Sequence, residues 1–447
     1  STFALAQWRL GEAIGWVGGI TDPESRDWKE RAAANVERLP PREAVLLRVS
    51  SAIARGRVRP VFRELQDYLV RHPDDPDGWY LLGEIGFHGT QPVGLRDDEV
   101  EKALYRAVEL DPTFSPYYQH AVSWSTAQDQ AAKADSLLAG WREAADDEAR
   151  IEAFELRRSA ILGSEAAAAR AIDSVSALDE RNLTSMVESV WLADARPGRE
   201  RMILDAVFAR MGEGGPVDLG GHLADRGRIE ALLADYREVT DLRARLLRMA
   251  ALTGVAPEWI GDVPAEARGL LEELAAAAAV DNRDARIAVG RVFLATAVED
   301  RAAFSRAVSG AVDQALGQRA DGDTTGLRSM INVWAEGVWA ARHGSPAEAA
   351  EAYRRLAETP VADSPETEFV AARADLAFRA ELWPDAVRLY ESLSRSFGFR
   401  SWAKYRLGVT YEALGDEPRA LEAYRTFLVR MADADPGLPV VERARAA

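Results

Sequence analysis

Apolar residues recur at intervals of three and four along almost the whole chain, the spacing of one buried face on an α-helix. Ala, Leu, Arg and Glu, all good helix formers, dominate the composition. No convincing stretch alternates apolar and polar residues as a half-buried strand does. Short Gly, Asp or Pro clusters break the pattern roughly every 12 to 20 residues. The pattern predicts many short amphipathic helices joined by short loops, and so an all-α fold. One short helix pair cannot bury its apolar face alone, which makes an internal repeat the first thing to look for.

The C-terminal third contains one. "WAKYRLGVTYEALGDEPRALEAY" carries Leu407, Gly408, Tyr411, Gly415, Ala420 and Tyr424. In "LWPDAVRLY", Ala386 and Tyr390 stand 34 residues before Ala420 and Tyr424. "HGSPAEAAEAY" supplies Gly344, Ala349 and Tyr353, and here the step to Ala386 is 37 because the loop "TPVADSPET" is longer. The physical roles are separable. Small residues at Gly408 and Ala420 let paired helices approach, Tyr411 and Tyr424 fill the space beside them, and Gly415 supplies the turn.

These residues and their period closely resemble the tetratricopeptide repeat. The resemblance implies a right-handed α-solenoid of about ten to twelve helix-turn-helix pairs. The N-terminal part follows the pattern more loosely, with Trp79, Leu82, Gly83, Ala103, Ala107 and Pro112 in matching roles. Fainter pairs fall near Ala134, Ala168, Leu232 and Ser305. The stretch "TGVAPEWIGDVPAEARG" fits worst, so the expected organisation is a solenoid over 1–252, an irregular connection over 253–284, and a more regular solenoid over 285–447. One continuous superhelix is the favoured reading of the three.

A wider resemblance covers residues 3 to 145. "FALAQWRLGEAIGW", "RLPPREAVLLRVSSAIARG", "HPDDPDGWYLLGEIGFHG" and "AVELDPTFSPYYQH" occur in that order. Together they resemble the repeat-rich region attached to bacterial serine/threonine protein kinases, some adenylate cyclases and winged-helix regulators. The chain has none of the kinase, cyclase or DNA-reading residues, so the resemblance carries over no catalytic position. It implies a sensory or docking role beside an N-terminal module. The chain begins at Ser1, without Met and directly in helical text, which leads us to expect a mature chain or a fragment.

Charge narrows the partners. A net charge of −17 disfavours nucleic acid and anionic lipid as general partners. There is no cysteine, which excludes disulfides, thiolate zinc sites and cysteine nucleophiles while leaving the compartment open. The longest apolar run, "LLEELAAAAAV", falls short of the roughly 20 residues that span a bilayer.

Catalytic and metal motifs are absent. The five histidines, His72, His88, His120, His222 and His343, form no HExxH pattern. His72 and His343 sit where a helix C-terminus favours a cation. His88 and His120 flank one helix pair and could approach one another, but capping or packing is the default and no metal site is assigned. "DGDTTG" matches three positions of a calcium loop but lacks the acid at the fifth and the closing Glu. "GEGGPVDLGG" lacks the GK[ST] ending of a phosphate loop. "GTQPVGL", after His88, reads as a lengthened turn, with Asp98 and Glu101 restarting the next helix as a capping box.

In tetratricopeptide repeats the first helix of each pair lines the concave face. By that resemblance Trp402, Tyr405, Val409 and Glu412 face a groove, Trp334, Val338 and Arg342 join them one register earlier, and Asp375, Phe378 and Arg379 lie between. Aromatic residues among Arg and acids suit a peptide-binding groove. The Lys/Asn carboxylate clamp of chaperone-tail-binding repeats is not visible, because Tyr405 and Trp334 occupy those positions. The expected function is a non-enzymatic interaction scaffold that binds a protein or peptide, with no cofactor. The alternative is a small-molecule-sensing region, and an unrecognised enzyme comes third.

Overall fold

The computed structural model describes residues 3–18, 22–54, 58–88, 95–145, 147–179, 182–183, 186, 190, 197–211, 219–255, 259, 265–276, 285–317, 324–359, 367–394 and 399–447. The all-α expectation holds: the described residues form 24 α-helices and two short 3-10 segments, with no strand among them. No helix among them is long and apolar enough to cross a membrane. The helices gather into two compact units, Ser1–Val207 and Phe208–Ala362 with Thr367–Ala447.

Local sequence explains where helices start and turn. Ser345 Oγ accepts the Glu348 N–H at 3.3 Å, and Glu348 Oε2 accepts the Ser345 N–H at 2.7 Å, a reciprocal cap ahead of Pro346. Gly415 takes φ +72, a conformation that costs other residues steric strain, and Asp416 then caps the following helix. One expected cap is displaced. The helix after "GTQPVGL" begins at Asp97, and Glu99, not Glu101, accepts the Arg96 N–H at 2.9 Å. The loop residues 89–94, most of "GEGGPVDLGG" and the acids of "DGDTTG" lie outside the described residues.

The first unit contains ten consecutive helices, α1 (Ala4–Gly18), α2 (Pro23–Ala33), α3 (Pro41–Ala54), α4 (Arg59–Arg71), α5 (Pro76–His88), α6 (Asp97–Leu110), α7 (Pro116–Ala127), α8 (Ala131–Ala144), α9 (Glu148–Leu162) and α10 (Glu165–Asp173). Each packs on the next, and α3, α5, α7 and α9 also touch in succession. Glycines set the α5–α6 spacing. A Cβ at Gly83 would lie 2.4 Å from Leu104 Cδ2, and one at Gly86 would lie 2.2 Å from Val100 Cγ2. His88 is the last residue of α5, as expected, and His72 caps α4.

A polar ladder ties the first turn of α5 to its neighbours. Arg42 of α3 grips Asp75 through Nε and Nη2, both at 2.7 Å, and reaches Asp77 at 2.9 Å. Tyr68 of α4 donates its hydroxyl to Asp75, and Tyr117 of α7 donates to Asp77 at 2.6 Å. Burial alone would raise the Asp75 pKa. The hydrogen bonds and charge of Arg42, with Tyr68, outweigh it and hold the carboxyl below its ordinary range.

The second unit contains α12 (Leu219–Asp225), α13 (Ile229–Glu238), α14 (Leu242–Val255), α15 (Ala265–Ala276), α16 (Ala285–Ala297), α17 (Arg301–Gly317), α18 (Thr324–His343), α19 (Pro346–Ala357), α20 (Thr367–Arg379), α21 (Trp383–Leu393), α22 (Arg400–Ala413), α23 (Glu417–Arg430) and α24 (Pro439–Ala446), while α11 is Pro197–Met211. Neighbours pair as in the first unit, and α12, α14, α16, α18 and α20 touch in succession. Gly408 behaves as its sequence position predicts: a Cβ there would meet Tyr424 Cε1 at 2.4 Å. The stretch 253–284 is not a joint between the units. Its described part includes α15, which packs on α14 and α16, and the fully buried Trp259, so that part belongs to the second unit.

The N-terminal and C-terminal parts of the second unit meet. α12 packs on α22. Asp225 pairs with Arg430 at 2.7 Å, and the two side chains are 5% and 3% exposed. Ser401 donates its N–H to the same carboxylate at 2.8 Å, and Arg430 Nε reaches Ser401 Oγ at 3.0 Å. Arg226 Nη1 caps the Arg430 carbonyl, and the Asp435 N–H bonds the Gly227 carbonyl, both at 3.0 Å.

Candidate functional site

The second unit holds a cavity of about 190 Å³. Five helices contribute to its wall, most of them through side chains one turn apart on one face. α20 presents Asp375, Phe378 and Arg379, α18 presents Val338, Ala341 and Arg342, and α22 presents Trp402 and Arg406. Thr253 and Gly254 close α14, and Phe293 and Thr296 come from α16.

The wall is locally cationic in a strongly acidic protein. Among the described residues it carries three guanidinium groups, Arg342, Arg379 and Arg406, and one carboxylate, Asp375. That carboxylate is engaged: Tyr390 donates to Oδ1 at 2.6 Å and Trp402 Nε1 at 3.4 Å. Backbone carbonyls orient two of the arginines. Arg342 Nη1 donates to the Thr253 carbonyl at 3.0 Å, and Arg379 Nε donates to that of Gly344 at 2.9 Å. Arg406 lies over the Phe378 and Trp402 rings, 3.9 and 4.3 Å from their centroids, which holds its plane fixed. The Thr253 and Thr296 hydroxyls donate to carbonyls of their own helices, at 2.8 Å each.

Six of the expected groove residues come together here: Val338, Arg342, Asp375, Phe378, Arg379 and Trp402. The other four do not line the cavity. Trp334 is buried between Phe293 and Phe369, with its Nε1 3.4 Å from the Glu368 carbonyl. Tyr405 is buried against Trp402 and Phe427. Val409 packs on the core around Trp259, and Glu412 accepts the Tyr424 hydroxyl at 2.7 Å. Trp334 is covered by neighbouring helices, whereas Tyr405 and Val409 face the core that the unit's two ends build around Trp259.

Arg406, Phe293, Thr296, Thr253 and Gly254 were not anticipated. Arg406 was within reach of the sequence, since it stands one turn after Trp402. Phe293 and Thr296 were not, because no repeat residues fix the register of α16. Among the described residues, the group suited to a metal ion lies elsewhere, in the first unit: Glu84, His88 and His120. No protein-family model matches the chain, and no curated protein matches it significantly.

Proposed function

We propose that the chain is a non-enzymatic recognition scaffold of tetratricopeptide type, which holds an acidic side chain or terminal carboxylate of a protein or peptide partner in the second unit's cavity. The observation that carries this reading is the charge of the wall: three arginines oriented by carbonyls and rings, against one carboxylate already bonded to Tyr390 and Trp402. Guanidinium groups held in fixed planes suit carboxylates. The solenoid reading draws support from the 34-residue spacing, the Gly408–Tyr424 approach and the succession of contacts between alternate helices. The N-terminal phrasing supports a place beside a bacterial signalling module.

The test is selection from a random peptide library on the full chain, followed by Arg379→Glu. Arg379 is exposed, so this change leaves the core intact, whereas Trp402→Ala would empty a buried site at a cost of about 3–5 kcal/mol. Selected peptides carry Asp, Glu or a required C-terminal carboxylate, and Arg379→Glu weakens them at least about tenfold, one lost charge-assisted contact. Basic or neutral peptides indifferent to Arg379→Glu would refute the reading.

A second reading, a small anionic ligand, is favoured by the cavity's size and by its wall at Thr253 and Gly254. Thermal stabilisation by small carboxylates or phosphates, without any peptide selected, would decide for it.

A further inference from the structure

We propose that Glu84, His88 and His120 form a binding site for a divalent transition-metal ion, Zn²⁺ foremost, that links α5 to α7 in the first unit. Glu84 and His88 stand one turn apart on α5, so both side chains leave the same helix face. His120 enters from α7, which packs on α5. One donor atom from each residue lies within 4.8 Å of the others. Glu84 Oε2 is 3.5 Å from His88 Nε2, and Glu84 Oε1 touches His120 Nδ1. Ligands on a tetrahedral zinc ion, with bonds of about 2.0–2.1 Å, stand roughly 3.4 Å apart, so small side-chain rotations seat an ion among the three.

Two observations separate this cluster from an ordinary buried ion pair. Glu84 Oε1 and His120 Nδ1 are both buried, and neither has a partner in hydrogen-bond geometry although they are in contact. The two atoms are close but poorly aligned for a hydrogen bond, and a shared cation satisfies both at once. The surroundings also suit a metal. The Phe87 ring packs 4.2 Å from the His120 ring, and Tyr80 stacks on it at 6.1 Å, contacts that restrict the imidazole's orientation. Tyr80 also lies near the Glu84 carboxylate, where metal ligands take outer-layer support. His88 and His120 keep side-chain exposures of 28% and 20%, which leaves a route for the ion and a coordination position for water.

The donor set selects the ion. Two imidazole nitrogens and one carboxylate favour Zn²⁺, Co²⁺ or Ni²⁺ over Mg²⁺ and Ca²⁺, which prefer all-oxygen shells. Three protein ligands plus water is the open form of a zinc site.

The experiment is calorimetric titration of ZnCl₂ into the chelator-treated full chain, with CoCl₂ as a spectroscopic probe. We expect one saturable equivalent, a rise in Tm with Zn²⁺, visible d–d bands with Co²⁺, and no displacement by Mg²⁺ or Ca²⁺. His88→Asn, at the partly exposed last turn of α5, retains the helical circular dichroism and weakens Zn²⁺ binding at least about tenfold. His120→Gln does the same. If His120→Gln does not fold, the unaltered chain decides: Zn²⁺ must shift the imidazole resonances of His88 and His120 and leave those of His72 and His343 in place. No saturable binding, binding that survives both substitutions, or shifts confined to other histidines would overturn the proposal.

Discussion

The two units use the same chemistry, arginine on aspartate, for different tasks. In the first unit the Arg42–Asp75–Asp77 ladder joins helices that are close in sequence, and Arg42 stays 38% exposed. In the second, Asp225 and Arg430 are 205 residues apart and both almost fully buried. The first tie reinforces contacts that neighbouring helices make anyway. The second joins elements that nothing local brings together. Burial therefore marks which ion pair the architecture depends on, because a half-exposed pair is screened and a buried one is not.

The largest expected effect is from breaking the buried tie. Asp225→Ala strands the Arg430 charge inside the unit and should cost about 3–5 kcal/mol. Hydrogen exchange in α12 and α22 should accelerate before that in α18 and α19. The double change Asp225→Leu with Arg430→Met should recover a large part of the loss; no recovery would mean that the pairing is not what the single variant removed. Arg42→Ala should cost less, about 1–3 kcal/mol, since Asp75 keeps Tyr68 and water can reach the vacated side. Equal losses in urea unfolding of the two variants would erase the distinction between the units.

The smallest effect is one of pH. Asp75 has its folded pKa depressed, so it contributes stability that is fully present above the ordinary carboxylate range. That contribution is lost as pH falls from about 4 through the depressed value. Acid titration of unfolding should show a steeper loss below about pH 4 in the native chain than in Arg42→Ala, followed by hydrogen exchange in α3 to α5. Identical acid slopes would remove Arg42 as the source of the depression.

What the sequence revealed and what it hid follow from how far apart the partners are. Helix pairing is local, and Gly408, Tyr424 and Gly415 could be read because each acts within one pair. His88 at the end of α5 was legible for the same reason. Register carried Val338, Arg342, Asp375, Phe378, Arg379 and Trp402 to a shared face, one turn at a time. The burial of Tyr405 and Trp334 was not legible, since it depends on what covers them. The Asp225–Arg430 pair leaves no periodic trace at all: two charged residues in amphipathic helices look like any other solvated face. Nor did spacing show that Glu84 would stand between His88 and His120, because the three meet only through the α5–α7 packing.

The meeting of α12 with α22 also bears on how the second unit comes apart. A row of stacked elements whose neighbours alone hold it together melts from its free ends, and each terminus needs its own polar cover. Here α12 packs on α22, and the segment after α23 bonds Gly227, so the two ends of the unit hold each other. Opening must then begin at an interior seam, which requires two interfaces to separate together. Copying or deleting one helix pair, harmless in an open row, would throw Asp225 and Arg430 out of alignment. The Asp225–Arg430 tie thus sets the spacing between the unit's two ends.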